Sequence, residues 1–286
     1  MTKLVITEYI KTQYKKSLKK SLLTPKKKVF TARSKRFFTF LKTDLGICTN
    51  REIYNLLMSD NIHKYIREYS EHHTDEKNYE IYNDVRKVWA KELVKYTTSV
   101  CPYCNRNYIA NFSDYGTTVE LDHFFPKTKY PYLAINIYNL IPSCHTCNHQ
   151  KNEKKLKIYP YKDSLNNYIL FTYTVHKLPL KIDNIKLNLK IINNTRKNRK
   201  KVNNYNNILH ISDLYQNHKD TVLELIQKRE IYPDSYIDEL YRNYSFFNNR
   251  EDILRLITGG YVDDKDLGKR PLSKLIKDIS KELELI

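Results

Sequence analysis

Two short cysteine motifs, Cys101-Pro-Tyr-Cys104 and Cys144-His-Thr-Cys147, constrain this chain more than any other feature. Each can close a tight turn that aims two sulfurs at one point. The thirty-nine residues between the pairs leave room for a small folded unit. Four convergent thiolates make a closed, tetrahedral and therefore structural zinc site, which ties the segment after the first pair to the segment after the second. His145 could replace one sulfur; otherwise it is an exposed knuckle residue. The competing chemistry is redox, because Cys-Pro-Tyr-Cys alone reads as a dithiol motif with a nucleophilic first cysteine. Such a motif should sit at a strand-to-helix junction of a βαβ unit, and it leaves the second pair unexplained. Cys48 stands apart and is expected to be a buried or partly buried free thiol.

A chain of 286 residues, 41% hydrophobic, can bury one core, or one core and a smaller lobe. Fifty Lys and Arg against thirty-two Asp and Glu give +18, which points to a polyanionic partner, nucleic acid or an acidic membrane face. The composition, rich in Asn, Ile and Tyr with 5 Gly and 2 Met, is that of an AT-rich genome, where lysine is inflated for codon reasons. The distribution says more than the total: residues 1–37 carry +11, 38–150 −1, 151–206 +11 and 207–286 −3. Two basic stretches flank a nearly neutral middle and are the candidate phosphate-contacting surfaces. There is no run of about 18 apolar residues and no signal-peptide core, so a soluble, cytoplasmic protein is expected.

The order of patterns predicts an α+β chain in four parts: a basic arm over 1–37, a helical region over 38–100, a small core over 101–160, and a mixed strand-then-helix region over 161–286. Ile53, Leu56, Leu57, Ile62, Tyr65 and Ile66 recur at helical spacing, as do Ile81, Val85, Val88, Trp89 and Leu93. Residues 108–112 and 117–122, around the turn at Gly116, predict a β-hairpin. A short charged helix is predicted over 148–155. Period-2 runs at 168–176 and 185–192 predict two more strands, followed by a mobile basic linker over 193–207 and a mostly helical last third, with an amphipathic helix from about 271.

The segment between the cysteine pairs carries polar residues that a plain zinc ribbon has no need of: Glu120-Leu121-Asp122-His123-Phe124-Phe125-Pro126-Lys127, then Asn139-Leu140-Ile141-Pro142-Ser143-Cys144, then Cys147-Asn148-His149-Gln150-Lys151. Over about 101–154, a fifth of the chain, this pattern resembles the HNH endonucleases. The resemblance implies a ββα-metal core supported by zinc on Cys101, Cys104, Cys144 and Cys147. In it His123 is the general base and Asp122 a metal ligand. Asn139 fixes the hairpin loop and orients the base, and Asn148 is the second ligand of a catalytic Mg²⁺ or Mn²⁺. The family often has His where this chain has Asn148. His149 comes one step, about 100° of helix rotation, too late to share that face, and Asn148 is favoured. Within the family, ELDHFFPK, YPYLA and PSCxxCNxxK look like the HNH subunits that accompany an ATPase in Septu-type antiphage systems. That placement implies an ATPase partner and cleavage of DNA in preference to RNA, leaving 5′-phosphate and 3′-hydroxyl ends.

The chemistry is coherent residue by residue. A neutral imidazole can take a proton from water at cellular pH. A hard cation on a carboxylate and an amide oxygen can neutralise charge on phosphoryl oxygens. Lys151 and Lys155, sharing a helix face with Asn148, and Lys127 and Lys129, in the loop after His123, are candidates to hold flanking phosphates; solvated lysines are the alternative. Glu120 lies on the same strand face as Asp122, either as a second acid near the ion or as a partner for a lysine. Two other readings stay open: a noncatalytic, zinc-dependent nucleic-acid-binding protein, and a free-standing restriction-type nuclease.

Overall fold

A computed structural model describes residues 3–22, 50–61, 86, 89–90, 92–95, 97–112 and 116–286. Residues 26–36 of the basic arm, Cys48, and Ile62, Tyr65, Ile66, Ile81, Val85 and Val88 of the expected helices lie outside them. The chain is α+β, with helices and two small antiparallel sheets. It divides into two compact units, one of residues 4–98 and 109–155, the other of residues 1–3, 99–108 and 156–286.

In the first unit, helix α1 (Glu8–Leu22) buries Ile10 and Tyr14, and α2 (Asn50–Met58) buries Leu56 and Leu57. Trp89, in helical backbone, is fully buried with its ring 4.4 Å from that of Tyr14. Strands β1 (Glu120–His123) and β2 (Leu140–Ser143) pair antiparallel, with Asp122 opposite Ile141, and helix α3 (His145–Lys151) follows β2 directly and packs on β1. The order is thus strand, strand, helix.

The sixteen-residue loop that joins β1 to β2 is not a surface excursion. Phe124, Phe125, Tyr130, Tyr132, Leu133, Ile135 and Ile137 are all buried. Two amides staple it. Asn136 Oδ1 accepts from the backbone of Tyr138 and Asn139, and its Nδ2 donates to the Leu56 carbonyl of α2. Asn139 Oδ1 accepts from Phe125 N at 2.8 Å, and its Nδ2 donates to the carbonyls of Phe125 and Leu133. Tyr14 Oη donates to the Ile135 carbonyl from the other side.

The predicted hairpin is corrected here. Residues 108–112 form no strand with 117–122: one bridge, Asn111 to Thr117, survives, and 120–123 pair with 140–143 instead. Leu140 and Ile141 are fully buried, whereas of the expected partner only Ile109 is buried, with Tyr108 57% and Phe112 72% exposed and the Phe112 ring over Gly116. Apolar burial selects the partner.

In the second unit, strands β3 (Ile169–Val175) and β4 (Ile185–Ile191) form the hairpin expected from their alternation. Helices α4 (Arg196–Leu209), α5 (Ile211–Tyr215), α6 (Lys219–Ile231), α7 (Asp234–Asn243), α8 (Arg250–Thr258) and α9 (Ser273–Glu282) complete it. The mobile linker expected over 193–207 is instead α4. Thr195 caps it through Asn198 N, and Val202, Tyr205, Ile208 and Leu209 bury one side of it. On α9 a buried pair, Lys274 and Asp278, also accepts Phe171 N of β3 through Asp278 Oδ2 at 2.9 Å.

Candidate functional site

The first cysteine turn is built by local hydrogen bonds and held by the second unit. Asn105 N donates to the Cys101 carbonyl at 2.8 Å, with Asn105 at φ 53°, a left-handed conformation that Asn tolerates. Arg106 N donates to Cys104 Sγ at 3.4 Å. The hydroxyls of Tyr205 and Tyr215 donate to the carbonyls of Tyr103 and Cys104, and Asn105 Nδ2 donates to the Leu267 carbonyl. In the second turn Cys144 caps α3 and its carbonyl accepts Asn148 N at 3.0 Å.

All four cysteines are buried and reduced, and their sulfurs lie within 4.8 Å of one another. A tetrahedral zinc with Zn–S near 2.3 Å sets its sulfurs about 3.8 Å apart, so the cluster is compatible with zinc. His145 is not part of it: its ring is exposed and turned to Glu120. The redox alternative finds no support in the backbone, since 101–106 is turn and no helix starts at the first cysteine. Purified protein is expected to carry one zinc per chain, and Cys144→Ser to lose it, by elemental analysis. A metal-free protein with a reversible disulfide would count against the zinc assignment.

β1 and α3 open onto a cleft of about 730 Å³ lined by, among others, Glu120, Asp122, His123, Lys127, Asn148 and His149. His123 is half-buried with Nε2 2.9 Å from the Ala134 carbonyl. A carbonyl only accepts, so Nε2 carries the proton and Nδ1 is the ring nitrogen with the lone pair. Burial first, and then the charges of Lys127 and Lys151, push its pKa down to about 3 against the opposing pull of that carbonyl, which keeps the ring neutral. Asn139 bonds Phe125, two residues after His123, and Leu133, the residue before Ala134, and so ties together the two ends of the His123–Ala134 contact.

Asp122 is 3% exposed and its Oδ1 is 2.9 Å from Lys151 Nζ, which also donates to the carbonyls of His123 at 2.7 Å and Asn152 at 3.3 Å. Lys151 is therefore not placed to hold a phosphate, as the sequence suggested: its side chain is fully buried and committed to the Asp122-His123 dipeptide. Glu120, on the same strand face, accepts from Asn148 Nδ2 at 2.7 Å and pairs with His145 Nδ1 at 2.8 Å. Burial opposes its charge, yet the bonds from Asn148 and His145 prevail and hold the carboxyl below its ordinary value. The same hydrogen bond, with the charge of Glu120, raises His145.

Helix α3 starts at His145, three residues before the expected start, and ends at Lys151, with Asn152 at φ 44°. Asn148 is therefore mid-helix, and no helix N-terminus lies at it. Lys155 is beyond the helix, exposed, with Nζ 5.6 Å from the Phe125 ring centroid, and it does not line the cleft. Lys127 does line it; Lys129 is exposed and does not. Sequence reasoning missed Asn136, Arg86 and Glu153, of which the last two line the cleft and Glu153 accepts from Thr128 Oγ1 at 2.8 Å. Nothing in their local pattern marks them, because each acts across many residues of chain.

The chain is thus an α+β protein with a four-cysteine cluster compatible with zinc and a polar cleft on a strand-strand-helix unit. Over 104 residues it is 33% identical to the Septu protein PtuB of Bacillus thuringiensis, covering 33% of this chain and 39% of that protein. Over 94 residues it is 26% identical to protein ea31 of Escherichia phage lambda, covering 33% of this chain and 29% of that one. The chain spans less than half the length of these curated relatives. No protein-family model and no solved structure matches it. Among the described residues no helix is long and apolar enough to cross a membrane.

Proposed function

We propose that the chain is a metal-dependent endonuclease of HNH type that hydrolyses phosphodiester bonds of DNA and serves antiphage defence. The observation that carries this reading is the convergence of His123, Asp122, Glu120 and Asn148 on one cleft, with the His123 ring oriented by its Nε2–H bond to the Ala134 carbonyl. The likeness to a Septu protein supports the defence role, and an ATPase partner is what the resemblance of the 101–154 segment to Septu-type HNH subunits implies.

The donors on the cleft, two carboxylates and an amide, are hard oxygen ligands that suit Mg²⁺ or Mn²⁺. Asp122 and Asn148 would hold the ion, with Glu120 beside them. When bound, the cation supplies charge neutralisation at the phosphoryl and leaving oxygens. The chain supplies the rest. Nδ1 of His123 accepts the proton of the attacking water, while the Nε2–H bond to Ala134 keeps the tautomer and ring orientation fixed. Asn139 keeps the loop that carries Ala134 in place. Lys127 at the cleft contacts phosphate.

One observation favours a second reading. Lys151 already neutralises Asp122, as expected if the unit were a noncatalytic, zinc-dependent nucleic-acid binder. A substrate panel separates the two: supercoiled plasmid, linear duplex, single-stranded DNA and RNA, each at low salt with Mg²⁺, Mn²⁺ or chelator. The nuclease reading expects cation-dependent cleavage, of DNA before RNA. Binding of these substrates without cleavage of any would establish the noncatalytic protein instead.

A further inference from the structure

The first half of α4 is a stripe of cations that the fold leaves unneutralised. Val202, Tyr205, Ile208 and Leu209 bury one side of the helix. Arg196, Arg199 and Lys200, three and four residues apart, share the opposite side, and Asn203 and Asn207 continue it; all five are exposed. None of the three cations has a carboxylate partner among the described residues. Lys201, on the flank of the same helix, shows the contrast: it pairs with Asp163 at 3.2 Å and donates to Tyr168 Oη at 2.8 Å.

This placement opposes the helix. The positive end of the helix dipole lies at Arg196, the first turn holds no acidic residue, and the cations also repel each other. Acidic residues there would stabilise the folded chain. A polyanion lying along the stripe removes the repulsion and gains from counterion release. Between polyanions, the exposed face decides. A helix that lies in a membrane keeps apolar side chains beside its cations to enter the bilayer. Here every buried apolar residue of the helix faces its own core and the exposed face is Arg, Lys and Asn, residue types that bond phosphates and base edges.

We infer that the Arg196, Arg199 and Lys200 face of α4 is a docking surface for the phosphate backbone of nucleic acid, separate from the residues that cut it. The inference rests on the proposed nuclease reading for its substrate, and the test keeps the two apart. Binding of a fluorescein-labelled DNA duplex is followed by anisotropy over a salt series, in full-length His123→Ala protein without divalent cation. The triple variant Arg196→Gln, Arg199→Gln, Lys200→Gln is expected to bind about 10 to 100-fold more weakly near 0.1 M salt, with the log–log salt slope shallower by about 2 to 3. Its melting temperature should rise, which no merely structural role of the cations would produce. Lys177→Gln, Arg242→Gln, Lys281→Gln changes net charge equally at other exposed sites of the same unit and should stay within about threefold of the parent.

Unchanged affinity and slope in the α4 triple, while the wild type still cuts, overturns the docking surface and leaves the nuclease reading standing. Equal losses in the two triples overturn it as well, reducing the effect to net charge. Loss of binding to anionic phosphatidylserine vesicles with DNA binding intact assigns the stripe to membrane and overturns it. A wild type that neither binds nor cuts any nucleic acid removes both.

Discussion

Lys151→Met should lower the unfolding free energy by about 3–5 kcal/mol, because it strips the buried Asp122 carboxylate of its counter-charge and leaves the His123 and Asn152 carbonyls without their donor. A buried charge that loses such a partner costs more than the pair contributed, so the loss exceeds that of a surface ion pair. Urea titration measures it as a shift in midpoint at constant m. The double variant Lys151→Met, Asp122→Leu supplies the control. With no charge left to strand, much of the stability should return, but cleavage should not, because Asp122 is gone. A Lys151→Met protein within 1 kcal/mol of wild type would show that water reaches Asp122 and that the ion pair does not organise the dipeptide.

Legibility in the sequence followed the range of the interaction. The cysteine pairs, the β3–β4 alternation and the last helix are local patterns with a fixed period, and the structure has a four-sulfur cluster, a paired hairpin and α9 at those places. The partner of β1 was not legible. Leu140–Ser143 is a four-residue run with a proline, buried at every position rather than alternately, and period-2 reasoning passes over it. Helix α4 was hidden by its own composition: Asn and Lys between the apolar positions read as linker, while Val202, Tyr205, Ile208 and Leu209 hold the period.

At the cleft the residue types were readable and their partners were not. Asp122, His123 and Asn148 line one cavity, and Asn139 hydrogen-bonds Phe125 of the loop between the two strands. Lys151 was read as a candidate phosphate ligand because it shares a helix face with Asn148 at i+3 spacing. Only packing against β1 reveals that its ammonium is buried among three oxygens. Glu120 likewise gives its two oxygens to His145 and Asn148, a choice that depends on where α3 starts. Lys151 and Glu120 hold Asp122 and Asn148 in place by these bonds, and on the proposed reading they do so before any ion or phosphate arrives.

The central claim is that His123 acts on a phosphodiester in this cleft. Wild-type and His123→Ala proteins of equal zinc content, incubated with supercoiled plasmid at low salt in Mg²⁺, test it most directly. The account predicts Mg²⁺-dependent cutting by the wild type, leaving 5′-phosphate ends, and a rate about 10² to 10⁴-fold lower for His123→Ala with DNA binding unchanged. Cutting by His123→Ala at the wild-type rate, with contaminating nucleases excluded, would contradict it.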